Sequence, residues 1–462
     1  MRKFIAAVIL LTMIASVFVF SACTDKTPDA IADKFENLAE QGSFDRMNGE
    51  KGDTITFDFG KETTFNALVL QEKGSQITSF RIYADDASEP FYGNDFIEGY
   101  RYCSFDTITA SKIRIHVLDS KEAWKFDSLE AYCVEKTENN FEIMSYIMTD
   151  TAATLTEEQA QIAQYITEFN LFSAVLLDKD GNLRYNSFTI NNQTVEGKQA
   201  IKLAVARLKE VNPSASVVFT ILGNQDFNDG LSVPERYTQA MGDNREKLIA
   251  NILALIEECG LDGVAFDYEY PHTMKEFDVY ADFLRELKQS LPQGKRLNAA
   301  ISVWNISPTF LTKKDLEVLD RIEVMAYDMF DDNGNHSTFY SSCYNILRDF
   351  QKKGVPAEKL HLGLPYYSRP INGDSFWGNY SDVADKLSPF ENTYVEAYTD
   401  LDGVAHPELA NYYNGRQMIY DKTCYAIDSG VGGVMLWHFG TDSFDPELSL
   451  TMQIVKAMQS RA

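Results

Sequence analysis

Residues 261–271 read Leu-Asp-Gly-Val-Ala-Phe-Asp-Tyr-Glu-Tyr-Pro, and this stretch is the most informative part of the sequence. Before it, apolar residues in 252–256 recur at helical spacing and stop at Gly260, so the order is helix, glycine, strand and carboxylates. Residues two apart on a strand point to the same side, with Cα atoms roughly 7 Å apart, so Asp267 and Glu269 face one space. Active sites of parallel α/β folds lie at the C-terminal ends of the strands. The stretch therefore predicts two cooperating carboxylates at a strand end.

From Phe141 onward, apolar runs of strand length alternate with helical stretches, which is typical of parallel βα units. Eight such runs match a closed (β/α)8 TIM barrel better than an open sheet. The runs are Phe141 to Met148, Phe172 to Leu177, Val217 to Leu222, Gly263 to Tyr268, Leu297 to Val303, Ile322 to Tyr327, Leu360 to Pro365 and Gly433 to Trp437. We assign residues 137–462 to this barrel.

Residues 41–136 follow a different pattern, with short alternating segments separated by Gly, Asn and Asp, which predicts an antiparallel β-sandwich or jelly roll before the barrel. The chain is therefore predicted to be multidomain. The order Thr-Phe-Asp-Phe-Gly, Leu-Val-Leu-Gln-Glu, Ser-Phe-Arg-Ile-Tyr and Ser-Leu-Glu-Ala-Tyr resembles discoidin, or coagulation-factor type C, modules. The resemblance implies either a carbohydrate-binding module, with Tyr92, Tyr100 and Trp124 as candidate stacking residues, or a spacer that packs on the barrel.

The N-terminus begins with Arg2 and Lys3, continues with an apolar stretch and reaches Ser-Ala-Cys at 21–23, which predicts an export signal over residues 1–23. The small residues before Cys23 resemble a bacterial lipoprotein cleavage box, which implies lipidation of Cys23 followed by a polar tether over 24–40. An uncleaved membrane anchor is the alternative. In either case we expect an extracytoplasmic protein, held to the membrane at the cell surface by its N-terminus.

The composition restricts the partners of the protein. With 42 Lys and Arg against 68 Asp and Glu, the formal net charge is −26, which disfavours nucleic acid and anionic membrane surfaces. A neutral sugar polymer fits better. No C-x-x-C spacing and no nearby His accompany the cysteines, so no metal site is expected, and no organic cofactor is implied. Cys103 and Cys133 lie in the same small unit and are the candidates for a disulfide.

The stretch at 261–271 resembles the signature of glycoside hydrolase family 18, the chitinases and their relatives, written D-G-x-D-x-D-x-E-Y-P. It departs at Ala265, where the family has its middle Asp. Three later segments resemble the family in the correct order, and together the similarity covers about residues 140 to 450. They are Met-Ala-Tyr-Asp at 325–328, Leu-Pro-Tyr-Tyr-Ser-Arg at 364–369 and Gly-Val-Met-Leu-Trp at 433–437.

The resemblance implies three catalytic residues. Family 18 uses the N-acetyl group of the substrate as the nucleophile instead of an enzyme carboxylate. By this resemblance Glu269 protonates the leaving oxygen, Asp267 stabilises the oxazolinium-like intermediate, and Tyr327 donates its hydroxyl to the acetamido oxygen.

Three further residues are implied to bind substrate. Asp328 would hold the sugar, Trp437 would give the ring an apolar floor, and Arg369 would supply a polar contact. Ala265 removes one negative neighbour, so we expect Asp267 to ionise more easily and the pH profile to be altered without loss of activity.

The sequence thus predicts an exported, retaining glycosidase that cleaves β-1,4 bonds in glycans containing N-acetylglucosamine, such as chitin oligomers or the chitobiose core of N-glycans. The alternatives are a non-catalytic carbohydrate-binding lectin on the same barrel and a surface adhesin that acts through the sandwich. The presence of the acid Glu269 argues against the lectin.

Overall fold

The computed structural model describes residues 30–461 except 139, 223–229, 307–309, 372–375 and 400–402. The predicted signal peptide with Cys23, and residues 24–29 of the predicted tether, lie outside the described residues. Among the helices that are described, none combines the length and the apolar character needed to cross a bilayer.

Eight parallel strands form the barrel, and the first strand pairs with both the second and the eighth, which closes it. Every run predicted from the sequence overlaps one of these strands, so the predicted (β/α)8 barrel is confirmed. Strands one to eight are Glu142–Met148, Glu168–Leu177, Ser216–Leu222, Gly263–Asp267, Arg296–Ile301, Arg321–Val324, Leu360–Pro365 and Gly433–Trp437.

Helices follow the strands and cover the outside of the barrel. Gly260 adopts the left-handed backbone (φ 67°) that ends the helix before strand four, and a capping box between Thr273 and Glu276 begins the helix after it. The α-helices are Thr149–Ala153, Glu157–Ala163, Gly197–Val211, Val233–Met241, Arg245–Cys259, Met274–Ser290, Lys313–Leu316, Asn345–Lys353, Arg416–Asp428 and Leu450–Arg461. Single 3₁₀ or π turns occur at Val303–Ile306, Phe339–Tyr344, Ala357–Lys359, Tyr380–Asp382 and Phe439–Thr441.

An antiparallel sheet is inserted between strand seven and the helix Arg416–Asp428. It consists of Tyr367–Pro370, Gly378–Asn379, Thr393–Thr399 and Ala405–Tyr412. Two smaller additions follow strand two: Leu183–Tyr185 pairs antiparallel with that strand, and Phe188–Ile190 pairs with Gln193–Val195.

The N-terminal strands are antiparallel, as predicted, and enclose an apolar core of their own. They are joined into one continuous sheet because two long strands, Thr54–Glu72 and Arg101–Ser120, pair along most of their length across two register shifts. The other strands are Ser43–Phe44, Asn48–Gly49, Ile77–Ala84, Tyr92–Asn94 and Trp124–Tyr132. The resemblance of this unit to discoidin modules stays a prediction.

A buried polar contact fixes the N-terminal sheet on the barrel helix Arg416–Asp428. The carboxylate of Asp421 accepts hydrogen bonds from Arg101 Nη2 at 3.1 Å, from Tyr92 OH at 2.6 Å and from the backbone N–H of Ser104 at 2.9 Å. The side chains of Arg101 and Asp421 are 1% and 0% exposed. Because neither charge reaches water, each depends on the other, and the two units are held in one arrangement.

The three aromatic residues predicted as sugar-stacking candidates are all buried, so that assignment is wrong. Tyr92 contacts Asp421, and the ring of Tyr100 stacks on that of Tyr344 with 3.9 Å between centroids. Trp124 lies in the core of the N-terminal sheet. The aromatic side chains of this unit therefore serve its own core and its contact with the barrel.

The candidate disulfide is also absent, because Cys103 and Cys133 are both free thiols. Cys103 points into the core of the N-terminal sheet, whereas Cys133 is exposed after the last strand.

Residues 30–40 of the predicted tether contact both units: Lys34 Nζ donates to the carbonyl of Asp428 at 2.8 Å, and Ile31 is fully buried.

Replacing Asp421 tests this contact. Asp421→Ala leaves the Arg101 guanidinium buried without its carboxylate, and we expect a loss of about 3–5 kcal/mol in unfolding free energy. Urea denaturation followed by circular dichroism measures it. Asp58→Ala removes the partner of Lys112 in an exposed ion pair and should leave the midpoint where it is. Equal midpoints for the two variants would mean that the buried pair does not hold the units together.

Candidate active site

Strand four alternates as the sequence predicts, with its carboxylates on the inner face. Phe266 points outward and packs on the helix Met274–Ser290, and Tyr268 stacks on Tyr237 with 4.3 Å between ring centroids. Asp267, the last residue of the strand, faces the barrel axis and is 7% exposed. Glu269 follows two residues later on the same side, half-buried. The two acids therefore share the mouth of the barrel.

The carboxyl groups of Asp267 and Glu269 lie close enough to hydrogen-bond when one of them is protonated. Burial raises the pKa of Asp267 well above its usual value, and the negative charges of Glu269 and Glu323 raise it further. The sequence predicts that Ala265 makes Asp267 easier to ionise than an Asp at position 265 would, and that comparison stays a prediction. Like-charge repulsion nevertheless persists, since it comes from the adjacent acid and from strand six.

A second layer of polar side chains lies beneath this pair. Glu323, on the inner face of strand six, is fully buried and accepts hydrogen bonds from Tyr146 OH and from Asn170 Nδ2, the latter at 2.6 Å. Burial raises the pKa of Glu323 to about 7, although both hydrogen bonds oppose that shift. Sequence reasoning missed these residues. The available signal was an acid at an inward position of an otherwise apolar strand.

Tyr327 lies beyond the end of strand six, beside the acid pair. Burial raises the pKa of its hydroxyl well above the usual value, and the carboxylates of Asp267, Glu269 and Asp328 add to the shift. The phenol therefore keeps its proton at any physiological pH and can donate a hydrogen bond.

Asp328 is held by groups from two other segments. Its carboxylate accepts a hydrogen bond from Arg369 Nε at 2.9 Å, and its backbone N–H donates to His336 Nε2 at 3.1 Å. Asp328 has φ 56°, a left-handed backbone that Asp adopts more readily than most residues. Desolvation works to raise the pKa of Asp328, but His336 and Arg369 outweigh it and hold the pKa far below the usual range. The side chain thus presents a fixed negative charge.

Aromatic rings form one wall of the site. Trp437, at the end of strand eight, lies 5.1 Å from Tyr146 and 4.8 Å from Phe172 between ring centroids. Trp377, from the inserted sheet region, lies 6.5 Å from Trp437, and Arg369 lies over its ring at 5.4 Å. Such a wall suits the apolar face of a sugar ring. Trp377 gave no sequence signal because it stands in an irregular loop.

The structure thus brings all six predicted site residues to the C-terminal end of the barrel strands. Asp262, from the same signature stretch, lies at the opposite end, where it accepts hydrogen bonds from Lys209 Nζ at 2.8 Å and from the backbone N–H of Val217 at 2.9 Å. It therefore anchors the beginning of strand four. The site combines a proton shared by two carboxyls, a phenol donor, a fixed anion and an aromatic wall.

Residues 126–442 match the family Glycosyl hydrolases family 18. The chain belongs to this family. Chitinase B of Serratia marcescens is 24% identical over an alignment of 336 residues that covers 52% of this chain and 67% of that protein. Endochitinase 1 of Metarhizium robertsii is 23% identical over an alignment of 256 residues that covers 44% of this chain and 57% of that protein. The chain thus spans little more than half the length of that second relative.

The chitinase ChiB of the chitin utilization locus of Flavobacterium johnsoniae has a similar solved structure, with a TM-score of 0.54 and 22% identity. The similarity covers 70% of this chain and 94% of that one. It supports the barrel fold that the strand pairing shows.

Arg369→Met should raise the pKa of Asp328 toward its usual value, near 3.9, because the guanidinium no longer stabilises the carboxylate. Carbon-13 NMR of carboxyl-labelled aspartates, titrated with acid, measures the change. Arg184→Met, which removes the partner of Asp178 in a similar pair, is the matched control and should leave Asp328 unaffected. An unchanged Asp328 titration in Arg369→Met would contradict the electrostatic role given to Arg369.

Proposed function

We propose that this protein is an exported glycoside hydrolase that cleaves β-1,4 bonds in glycans containing N-acetylglucosamine, with retention at the anomeric carbon. The observation that carries the proposal is the pair of adjacent carboxyl groups of the buried Asp267 and of Glu269 at the mouth of the barrel, beside the phenol of Tyr327. Family membership supports it. The names of the relatives favour chitin oligomers over the chitobiose core of N-glycans as the substrate.

In the first step, Glu269 gives its proton to the glycosidic oxygen as the bond from that oxygen to the anomeric carbon breaks. The bonding electrons leave with the oxygen. The carbonyl oxygen of the substrate's own acetamide attacks the same carbon, forming an oxazolinium ion. Asp267, which can now hold a full negative charge, accepts the N–H of that ring and stabilises its positive charge, while Tyr327 donates a hydrogen bond to the acetamido oxygen.

In the second step, water attacks the anomeric carbon and Glu269 accepts its proton, so the carboxyl regains its starting state. The bond to the acetamide oxygen breaks, and two inversions give net retention. Asp328 binds a sugar hydroxyl as a fixed acceptor, and Trp437 supports the ring. A lectin needs none of this proton chemistry, whereas the buried acid pair makes it available.

Glu269→Gln should lower kcat on chitotetraose by about 10²–10⁴-fold with little change in KM, because the amide binds sugar but cannot supply the proton. Product analysis by mass spectrometry measures the rate, and calorimetry measures the retained binding. Glu258→Gln, on an exposed helix face, is the control and should behave like the parent. Parental activity in Glu269→Gln would refute the acid assignment, and sugar binding without cleavage by the parent would favour the lectin.

We also propose that Cys23 carries the lipid that attaches the protein to the membrane outside the cytoplasm. The basic, apolar and small-residue order of residues 1–23 supports this. Cys23→Ala should abolish incorporation of an alkyne-labelled fatty acid and move the protein from the membrane fraction to the soluble exported fraction. Label retained by the Cys23→Ala protein would place the lipid elsewhere, and retention of the unlabelled parent in the membrane fraction would argue for an uncleaved anchor.

A further inference from the structure

We propose that Glu323 of strand six is a positioning residue for the reaction: it supplies, from two strands away, the buried carboxylate that controls how tightly Asp267 and Glu269 hold their shared proton. The inference rests on the proposed function and deepens it. It gives strand six an electrostatic role that no residue of the stretch 261–271 has.

The strand register places Glu323 in the same row as Asp267, two strands away. On strand five, Ala299 pairs with Phe266 of strand four, and the next residue, Ala300, pairs with Glu323 of strand six. Asp267, Ala300 and Glu323 therefore occupy one row across three adjacent strands, with their side chains toward the axis. Neighbouring strands lie about 4.8 Å apart, so two carboxylates flanking an alanine methyl converge in the space between them.

Glu323 is held firmly by neutral groups. Tyr146 OH and Asn170 Nδ2 donate to its two oxygens, which fixes the carboxylate, and no cation lies within ion-pair distance among the residues that the structure describes. The acid below it, Glu168, is neutralised by Arg296. An uncompensated buried carboxylate acts strongly on other acids nearby, because the surrounding medium screens it poorly.

Strand four itself offers no such carboxylate. Ala265 lies on the same inner face as Asp267, two residues earlier, and ends in a methyl group. Thr220 of strand three pairs in register with Ala265, and its buried hydroxyl has no hydrogen-bond partner within the described part of the chain. At the barrel centre, the Thr220 hydroxyl is therefore an unused hydrogen-bond donor next to the methyl group of Ala265 on strand four. The buried carboxylate comes from Glu323 on strand six.

Several other titratable groups surround these acids. Those that face Asp267 or Glu323 from the neighbouring elements are Tyr146, Glu168, Tyr237, Glu269, Tyr270, Tyr280 and Tyr327. Burial raises the pKa of each of these tyrosines well above its usual value, so they stay neutral. Because Glu168 is paired with Arg296, the uncompensated acid next to the Asp267–Glu269 pair in this group is Glu323.

The sign of the effect follows from Coulomb repulsion. A negative Glu323 opposes the appearance of a second negative charge on the Asp267–Glu269 pair, so the shared proton is retained to higher pH. Glu323→Gln removes that repulsion, and the basic limb of kcat/KM should move to lower pH. A shift of one pH unit corresponds to about a tenfold fall in kcat/KM on the basic side, with little change on the acidic side.

The decisive experiment moves the carboxylate from position 323 of strand six to position 265 of strand four. In the double variant Glu323→Gln with Ala265→Asp, the new carboxylate lies beneath Asp267 and can accept the Thr220 hydroxyl, so the basic limb should return toward the parental pH. The matched control, Glu323→Gln with Ala265→Asn, has the same size without the charge and should not recover. Recovery in both doubles, or an equal loss of activity at every pH in Glu323→Gln, would reduce Glu323 to a structural role.

A second readout does not depend on hydrolysis. Carbon-13 NMR of carboxyl-labelled aspartates should show the Asp267 titration moving to lower pH in Glu323→Gln and to higher pH in Ala265→Asp, a single variant that keeps the native strand six. An Asp267 titration that is the same in all variants overturns the inference even if the parent is an active glycosidase. A parent that cleaves no glycan but shows the expected shifts refutes the proposed function and leaves the role of Glu323 intact.

Discussion

Burying two carboxyl groups at the mouth of a closed barrel is the constraint on which the site depends. Water is largely excluded around Asp267, so ionising both acids of the pair is costly, and they retain one proton between them. In the proposed reaction, proton donation and charge stabilisation would follow from the same arrangement: once the proton leaves, the remaining charge faces the position where positive charge develops. A more solvated pair would lose the proton at neutral pH and would lack both properties.

Cations are distributed unevenly inside the barrel, and this distribution supports proton retention by Asp267 and Glu269. At the bottom, Glu142 accepts hydrogen bonds from Arg321 Nη2 at 2.6 Å and, at 2.9 Å, contacts His361 Nε2; despite burial, these partners bring its pKa down to about 2. One layer higher, Glu323 has only neutral hydrogen-bond donors, and its pKa rises to about 7. Glu142 and Glu168 are thus paired with cations, whereas no ion pair of the described residues involves Glu323 or Asp267.

The N-terminal sheet contributes to the site through the segment that follows strand six. Tyr100 stacks on Tyr344, and a Cβ on Gly99 would lie only 2.9 Å from the ring of Tyr340, so the backbone must approach closely there. The same segment carries His336, which binds the backbone of Asp328. The barrel helix that docks the sheet also sends Lys422 Nζ to the carbonyl of Ser337 at 2.8 Å. The sheet therefore supports the loop that carries Asp328 and His336, and Tyr100 is buried in that contact.

Features that depend on neighbouring residues along the chain could be predicted from the sequence, whereas contacts between residues far apart in sequence could not. Strand four and the orientation of Asp267 and Glu269 depend on neighbours along the chain, so alternation and a glycine stop were sufficient. Tyr146 and Glu323 are 177 residues apart, and their contact exists only because the barrel closes in one register. Tyr92 and Tyr100 failed for a related reason: an aromatic residue suits a sugar platform and a buried interface equally well, and only the docked helix distinguishes them. The charge on Asp267 depends on all these contacts together, so the alanine at 265, taken alone, could not give the direction in which the pKa of Asp267 departs from its usual value.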